Sequence, residues 1–133
     1  MESLLPLLLL ISITSVIGLL LRAKKGVIKK GTRVKISEGE FGGKYGSRLT
    51  ILQFSTTFCS ECRTAKAIVK DVVKESKDIA YIEVDAESNL DLVRRVDIRS
   101  TPTTIFLDSK GFEIARAKGA PKRDQLIKAI KAI

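Results

Sequence analysis

The 133-residue sequence contains no histidine and no tryptophan, and its only cysteines are Cys59 and Cys62. A structural zinc site needs four ligands, so this pair could hold zinc only with several carboxylates or through a dimer. We therefore predict no metal site. An inert structural pair is the other alternative, but a Cys-x-x-Cys motif in this context is more typical of a redox-active dithiol.

The two cysteines lie between an apolar run and an amphipathic segment. Residues 49–54 are nearly all apolar, which is typical of a strand that is buried on both faces. After Cys62, apolar residues recur at helical spacing: Ala65, Ile68, Val69, Val72 and Val73. Positions three apart share one face of a helix, so the sulfurs can form a disulfide, and the helix N-terminus favours a thiolate at Cys59. We predict a redox site at a strand–helix junction.

The N-terminal part of the chain contains a long uncharged run. Residues 4–21 include no charged side chain, and a helix of this length reaches about 27 Å, close to the hydrocarbon thickness of a bilayer. No basic residue precedes the run and no small-x-small motif follows it, so a membrane anchor is favoured over a cleaved signal peptide. A buried core helix is disfavoured because the run has no polar face. We assign residues 1–25 to a transmembrane anchor with a basic flank.

Basic residues are concentrated just after this run. Residues 22–48 contain nine Lys or Arg and two acidic residues, whereas residues 49–133 contain 15 basic and 12 acidic ones. The positive-inside rule therefore predicts a single-pass protein with its C-terminal part on the cytoplasmic face; the extracytoplasmic side is the alternative. The same cluster can bind anionic membrane lipid. We predict no nucleic-acid binding, because Phe41 and Tyr45 are the only aromatic residues in the cluster.

The remaining sequence divides into a connector and one domain. Residues 26–48 are basic and interrupted by glycines, which is typical of a connector, and a short edge strand is predicted where Val34 and Ile36 alternate with basic residues. The domain is assigned to residues 49–133. Beyond the cysteine helix, the pattern predicts a strand over 79–85, a short helix over 89–96, strands over 103–107 and 112–117 joined by a turn, and a last helix from about Pro121.

Four features of this domain, in this order, resemble the thioredoxin family. They are the Cys-x-x-Cys at a strand–helix junction, the segment 99–103 with sequence Arg-Ser-Thr-Pro-Thr, Gly111 in the hairpin turn, and Gly119 before the last helix. The resemblance covers residues 49–133, about two thirds of the chain. It implies an α/β, thioredoxin-like fold with a central mixed sheet flanked by helices, preceded here by one N-terminal transmembrane helix.

The resemblance also implies site residues and partners. Pro102 would be the family's cis-proline, and the backbone of Thr101 would bind an extended substrate strand. Phe58, Val84 and Gly119 would border the same substrate surface. The implied partners are protein disulfide substrates and a reductase or membrane electron donor. No cofactor is implied beyond the redox-active disulfide itself.

The family commonly has Trp before its first cysteine and Gly-Pro between the two, whereas here Phe58 precedes Cys59 and Ser60-Glu61 lies between. Two departures bear on the chemistry. Glu61 stands between the cysteines, where a carboxylate disfavours a thiolate by like-charge repulsion, although the first helical turn favours the carboxylate itself. Gln53 occupies the strand position where thioredoxin has a buried acid that helps to deprotonate the second cysteine, and an amide cannot act as that base. Cys62 would then be deprotonated through water or by Glu61, or release of the mixed disulfide would be slow. Alternatively, Gln53 is simply a hydrogen-bonded polar residue in a buried strand.

These features predict an enzyme, a membrane-anchored thiol:disulfide oxidoreductase that reduces protein disulfides. Cys59 attacks the substrate disulfide and Cys62 resolves the mixed disulfide. The alternative is a binding or scaffold module with the same fold and little redox turnover. An oxidant that installs disulfides is disfavoured by Glu61 and by the basic residues after the span.

Overall fold

The computed structural model describes residues 4–133; the first three residues, which the predicted anchor includes, lie outside the described chain. A long helix, α1 (Leu4–Lys24), precedes a region of alternating strands and helices. In chain order these are β1 (Ile28–Lys30), α2 (Glu38–Phe41), β2 (Leu49–Ser55), α3 (Ser60–Val73), β3 (Ile79–Asp85), α4 (Leu90–Arg95), β4 (Thr103–Leu107), β5 (Glu113–Lys118) and α5 (Arg123–Ala132).

The strands form one mixed sheet in the order β1-β5-β4-β2-β3. Strands β2 and β3 are parallel, because helix α3 carries the chain back between them, and the other neighbours are antiparallel. A tight turn joins β4 to β5, in which the Gly111 amide donates to the Asp108 carbonyl at 3.1 Å and Gly111 has a φ of 89°. Glycine adopts that φ without steric cost. The predicted mixed sheet flanked by helices is confirmed.

Strand β2 lies inside the sheet, and its side chains alternate between two cores. Leu49 and Ile51 pack with residues of α3 and α5, whereas Leu52 and Phe54 pack with residues of α2 and α4. All seven residues of β2 are buried, as its apolar sequence predicts. Burial of each large apolar side chain stabilises the fold by about 1.5–3 kcal/mol. The alternation also directs Gln53 toward α3, the helix that carries the cysteines.

The segment 26–48 differs from the predicted connector, because it contributes to the sheet and to the core. Strand β1 pairs with β5, and Ile36 and Phe41 are buried. The predicted edge strand at Val34 and Ile36 is reduced to a single bridge, since Arg33 has a φ of 60° and interrupts the ladder. Gly31 allows the close approach to β5, because a Cβ there would lie 2.6 Å from the side chain of Glu113. The sheet therefore begins before the predicted domain boundary at residue 49.

Helix α1 has no buried residue and joins the sheet region through a tight junction. By length and composition it could cross a membrane, and a signal sequence near the N-terminus would meet the same criteria. The Gly26 amide donates to the Lys118 carbonyl at 2.6 Å. Gly26 has a φ of 74°, and a Cβ at this position would overlap the carbonyl oxygen of Ala120. Only glycine fits at the point where α1 meets β5.

Candidate active site

A disulfide joins Cys59 and Cys62 at the start of α3, with a Cα–Cα distance of 5.2 Å. Cys59 is the N-cap residue, and its sulfur accepts a hydrogen bond from the Cys62 amide at 3.1 Å. Free amides at a helix N-terminus stabilise negative charge, so this position favours a thiolate after reduction. Cys59 is half-buried, whereas Cys62 is only 3% exposed. A substrate can therefore reach the first sulfur more easily than the second.

Gln53 lies beneath the disulfide and is fully buried. Its side-chain amide donates to the Cys62 carbonyl and to the Ser55 hydroxyl, both at 2.9 Å. Its oxygen accepts a hydrogen bond from the Tyr81 hydroxyl at 2.8 Å. Among the alternatives left open by the sequence, this geometry agrees with a hydrogen-bonded polar residue in a buried strand. The bond to Cys62 is to its backbone, so Gln53 orients the helix turn and is not in a position to take the thiol proton.

Tyr81 is a further residue of the site, which the sequence pattern did not indicate. This residue lies on β3, opposite Ile51 in the β2–β3 register, and its side chain reaches Gln53 on the same face. Burial raises the pKa of Tyr81 well above its usual value, and the nearby Glu83 carboxylate raises it further. The hydroxyl therefore remains a neutral donor. The matching parity of the two residues on paired strands is a signal that could have identified the contact.

The loop that contains Pro102 lies beside the exposed sulfur. The Thr101–Pro102 peptide bond is cis, and Pro102 is buried. The Thr101 hydroxyl lies 4.0 Å from the Cys59 sulfur, and the Gly119 amide donates to the Pro102 carbonyl at 2.7 Å. The structure therefore brings Thr101, Pro102 and Gly119 together next to Cys59, as the resemblance implied.

A groove of about 490 Å³ runs along this loop. Glu61, Ser100, Thr101, Lys118 and Gly119 line it, together with Leu21, Lys24, Lys25 and Lys29 from the end of α1 and from β1. The carboxylate of Glu61 is 3.5 Å from the Lys25 ammonium. Both side chains are more than half exposed, so the pair stabilises the fold by less than about 1 kcal/mol. Its effect is to place a positive charge beside the carboxylate that separates the cysteines.

Two of the predicted substrate-surface residues have contrasting positions. Phe58 is 98% exposed and lies next to Cys59 in the chain, where it can contact a bound substrate. Val84 is only 3% exposed and packs in the core with Phe54, so the prediction that it borders the substrate surface is corrected. Strand β3 has apolar residues on both faces, and the register turns Val84 inward.

Comparisons with known proteins agree with this architecture. A family model described as thioredoxin matches residues 34–132. Thioredoxin of Ophiophagus hannah is 29% identical over 86 residues, which are 65% of this chain and 80% of that protein. Thioredoxin H5 of Oryza sativa subsp. japonica is 31% identical over 77 residues, covering 58% of this chain and 56% of the rice protein.

Solved structures show the same likeness. Thioredoxin-2, described as a component of malaria parasite protein secretion machinery, superimposes with a TM-score of 0.59 at 28% identity, covering 65% of this chain and 84% of that one. The thioredoxin of Fasciola hepatica gives a TM-score of 0.57 at 25% identity, covering 65% and 82% of the two chains. The family-model match begins at residue 34 and does not include α1.

Proposed function

The chain belongs to the thioredoxin family, and we propose that it is a membrane-anchored thiol:disulfide oxidoreductase that reduces protein disulfides. The observation that carries this proposal is the unequal exposure of the two sulfurs at the start of α3. Cys59 is accessible and lies where a thiolate is stabilised, whereas Cys62 is buried behind it. This asymmetry suits a pair in which one cysteine attacks the substrate and the other resolves the intermediate.

The reaction begins with the reduced pair. The Cys59 thiolate attacks one sulfur of the substrate disulfide, a mixed disulfide forms, and the other substrate sulfur leaves as a thiolate and takes a proton. The Cys62 thiolate then attacks the Cys59 sulfur, which releases the second substrate thiolate. The substrate gains two electrons and two protons, and the Cys59–Cys62 disulfide is formed. The Cys62 amide, at 3.1 Å from the Cys59 sulfur, stabilises the Cys59 thiolate that makes the first attack.

Deprotonation of Cys62 is the step for which the site provides least help. Gln53 holds the backbone of Cys62 and carries no ionisable group. Glu61 is exposed and lies beside Lys25. We therefore expect the Cys62 proton to leave through water and the resolution of the mixed disulfide to be the slow step.

Binding of the substrate is assigned to the loop beside Cys59. Main-chain groups of Thr101, Pro102 and Gly119 would pair with an extended substrate segment, and Phe58 would supply apolar contact. Such recognition depends little on sequence. Electrons would return from a flavoprotein reductase if the domain is cytoplasmic, or from a membrane electron carrier if it lies outside. No cofactor beyond the disulfide enters this scheme.

The anchor is the second part of the proposal. Helix α1 would span the bilayer once, with the domain on the cytoplasmic face because the basic residues follow the span. Two measurements distinguish this topology from an extracytoplasmic domain and from a cleaved signal sequence. The first is labelling of the reduced cysteines by an impermeant thiol reagent in intact cells, which should fail until the cells are opened. The second is N-terminal sequencing of the protein from washed membranes, which should begin upstream of residue 4.

The redox function is tested by equilibrating the full chain in detergent with glutathione or dithiothreitol buffers. A midpoint potential near or below about −250 mV supports a reductant, whereas one above about −150 mV marks an oxidant. Cys62→Ser should accumulate a mixed disulfide with a substrate protein, and Cys59→Ser should form none. If no reversible disulfide forms, the oxidoreductase proposal fails and the scaffold alternative is favoured.

A further inference from the structure

The end of α1 is part of the groove beside the active site. Leu21, Lys24 and Lys25 line this groove together with Thr101 and Gly119. The Lys25 ammonium lies 3.5 Å from the carboxylate of Glu61, the residue that stands between the two cysteines in the sequence. The anchor and the reactive disulfide therefore meet at one surface.

The connection between α1 and the domain leaves little freedom. Only residues 25–27 separate Lys24 from β1, and Gly26 is buried and hydrogen-bonded to Lys118. The backbone of Gly26 packs so closely on Ala120 that a side chain would not fit. A short segment that is bonded at its centre cannot act as a long flexible tether. The domain is therefore held with its active-site groove next to the end of the span.

The position of the uncharged run fixes the depth of this groove relative to a bilayer. Leu21 is the last residue of the run, and Arg22 and Lys24 follow it. Such basic residues lie at the boundary between hydrocarbon and headgroups, where their ammonium or guanidinium groups reach water. Because Leu21 and Lys24 both line the groove, the groove opens at the level of the headgroups.

The groove is also strongly basic. Four lysines line it, and the carboxylate of its one acidic residue, Glu61, is already beside Lys25. A second cavity of about 200 Å³ adjoins it, since both are lined by Lys24, Lys29 and Lys118, and it adds Lys30 and Arg116. This charge attracts a negatively charged segment and repels a basic one.

From these observations we infer that the substrate is another membrane protein, reduced at a disulfide in its juxtamembrane segment with acidic residues beside the cysteine. The inference rests on the proposed anchored oxidoreductase, and the thiol–disulfide exchange is the one described above. Confinement to one membrane surface raises the effective concentration of such a disulfide at Cys59. A soluble substrate gains no such increase and must enter a groove that faces the bilayer.

The test uses the full chain reconstituted in phosphatidylcholine vesicles, which carry no net charge that would occupy the lysines. The substrates are synthetic single-span peptides that carry a fluorophore through a disulfide, either about four residues from the span or beyond a Gly-Ser linker of about 25 residues. A soluble peptide has the same acidic flanks. We expect the near disulfide to be reduced about tenfold faster than the far or soluble one. Equal rates, or faster reduction of the far disulfide, would overturn the inference.

A linker variant tests whether the junction causes the preference. An insert of about eight Gly and Ser residues after Lys24 moves the span by about 16 Å while Lys25 remains beside Glu61. This variant should lose the preference for the near disulfide. The same insert after Glu75, in the exposed connection between α3 and β3, should keep it. If both variants keep the preference, the end of α1 does not select the substrate.

Two further comparisons separate the parts of the inference. Near peptides with acidic flanks should be reduced faster than those with lysine flanks, and the opposite order would refute the role assigned to the groove charge. A small soluble disulfide reagent reports on the dithiol itself. If this reagent is not reduced, the oxidoreductase proposal fails; if it is reduced while all peptides react equally, only the substrate inference fails.

Discussion

Replacing Gln53 with glutamate would place an ionisable group beneath the active-site helix without changing its size. In the native site, the side-chain amide donates to the Cys62 carbonyl and the Ser55 hydroxyl, and the side-chain oxygen accepts from Tyr81. In Gln53→Glu, the oxygen that faces Cys62 can keep a hydrogen bond to that carbonyl only when it is protonated. The folded protein therefore favours the neutral carboxylic acid, and burial favours it further.

The predicted cost follows from the pKa of this introduced carboxyl. Burial and the hydrogen bond to the Cys62 carbonyl would hold the pKa of this carboxyl well above the ordinary value that it has in the unfolded chain. Because the folded pKa is the higher one, the variant is closest to wild type below pH 4 and loses stability as the pH rises through the folded pKa. Between pH 5 and pH 8 we expect an additional loss of about 2–3 kcal/mol relative to wild type.

The measurement is urea denaturation of the full chain in detergent at pH 5 and pH 8, with wild type measured at each pH so that other titrating groups cancel. The control is Gln53→Leu, which removes hydrogen bonds without adding a charge. Gln53→Leu should lower the free energy of unfolding by about 1–3 kcal/mol, and the loss should be the same at both pH values. A pH-independent loss in Gln53→Glu would mean that water reaches the site, and the description of Gln53 as a buried, dry partner of Cys62 would be refuted.

Two further predictions concern buried contacts away from the disulfide. Arg116→Ala should destabilise the fold by about 3–5 kcal/mol in urea denaturation, because it leaves the buried carboxylate of Glu113 without the guanidinium that now binds it at 2.6 and 3.1 Å. Arg99→Ala, which breaks an exposed pair, should leave the stability almost unchanged. Gly26→Ala should lower stability by more than about 2 kcal/mol, since its φ is positive and its Cβ would overlap backbone. Gly39→Ala, where a Cβ meets nothing within 4 Å, should be neutral or slightly stabilising; equal effects of the two glycine substitutions would contradict the tight junction.

The sequence predicted the elements that have a long and regular pattern of apolar residues. The apolar run 49–54 corresponds to β2 (Leu49–Ser55), and the helical spacing after Cys62 corresponds to α3. Strand β1 escaped prediction because it has three residues, two of them lysines, and its pairing with β5 depends on a partner that lies far along the chain. Short strands carry too little periodicity to be recognised alone.

The candidate site was predictable only in its local part. The cysteines and the Pro102 segment follow from motifs that are contiguous in the sequence. The contacts of Gln53 with Tyr81 and of Glu61 with Lys25 join residues 28 and 36 positions apart. Strand parity indicates the first pair only once the pairing and register of β2 and β3 are known. The second pair depends on the path by which α1 enters the domain. The error at Val84 has the same origin. Both faces of β3 carry apolar residues, so the sequence alone does not show which face packs against the core.

The departures at Gln53 and Glu61 each have a structural partner in this chain. Where thioredoxin has a buried acid, Gln53 is neutral, and the residue that contacts it is the neutral hydroxyl of Tyr81, so no charge is left uncompensated beneath the disulfide. Where Glu61 adds a charge between the cysteines, Lys25 lies beside it. The first pairing belongs to the sheet, but the second exists only because α1 ends at the groove. Removal of α1 together with its basic flank would therefore leave Glu61 without Lys25 next to Cys59, so this part of the chain would influence the thiolate.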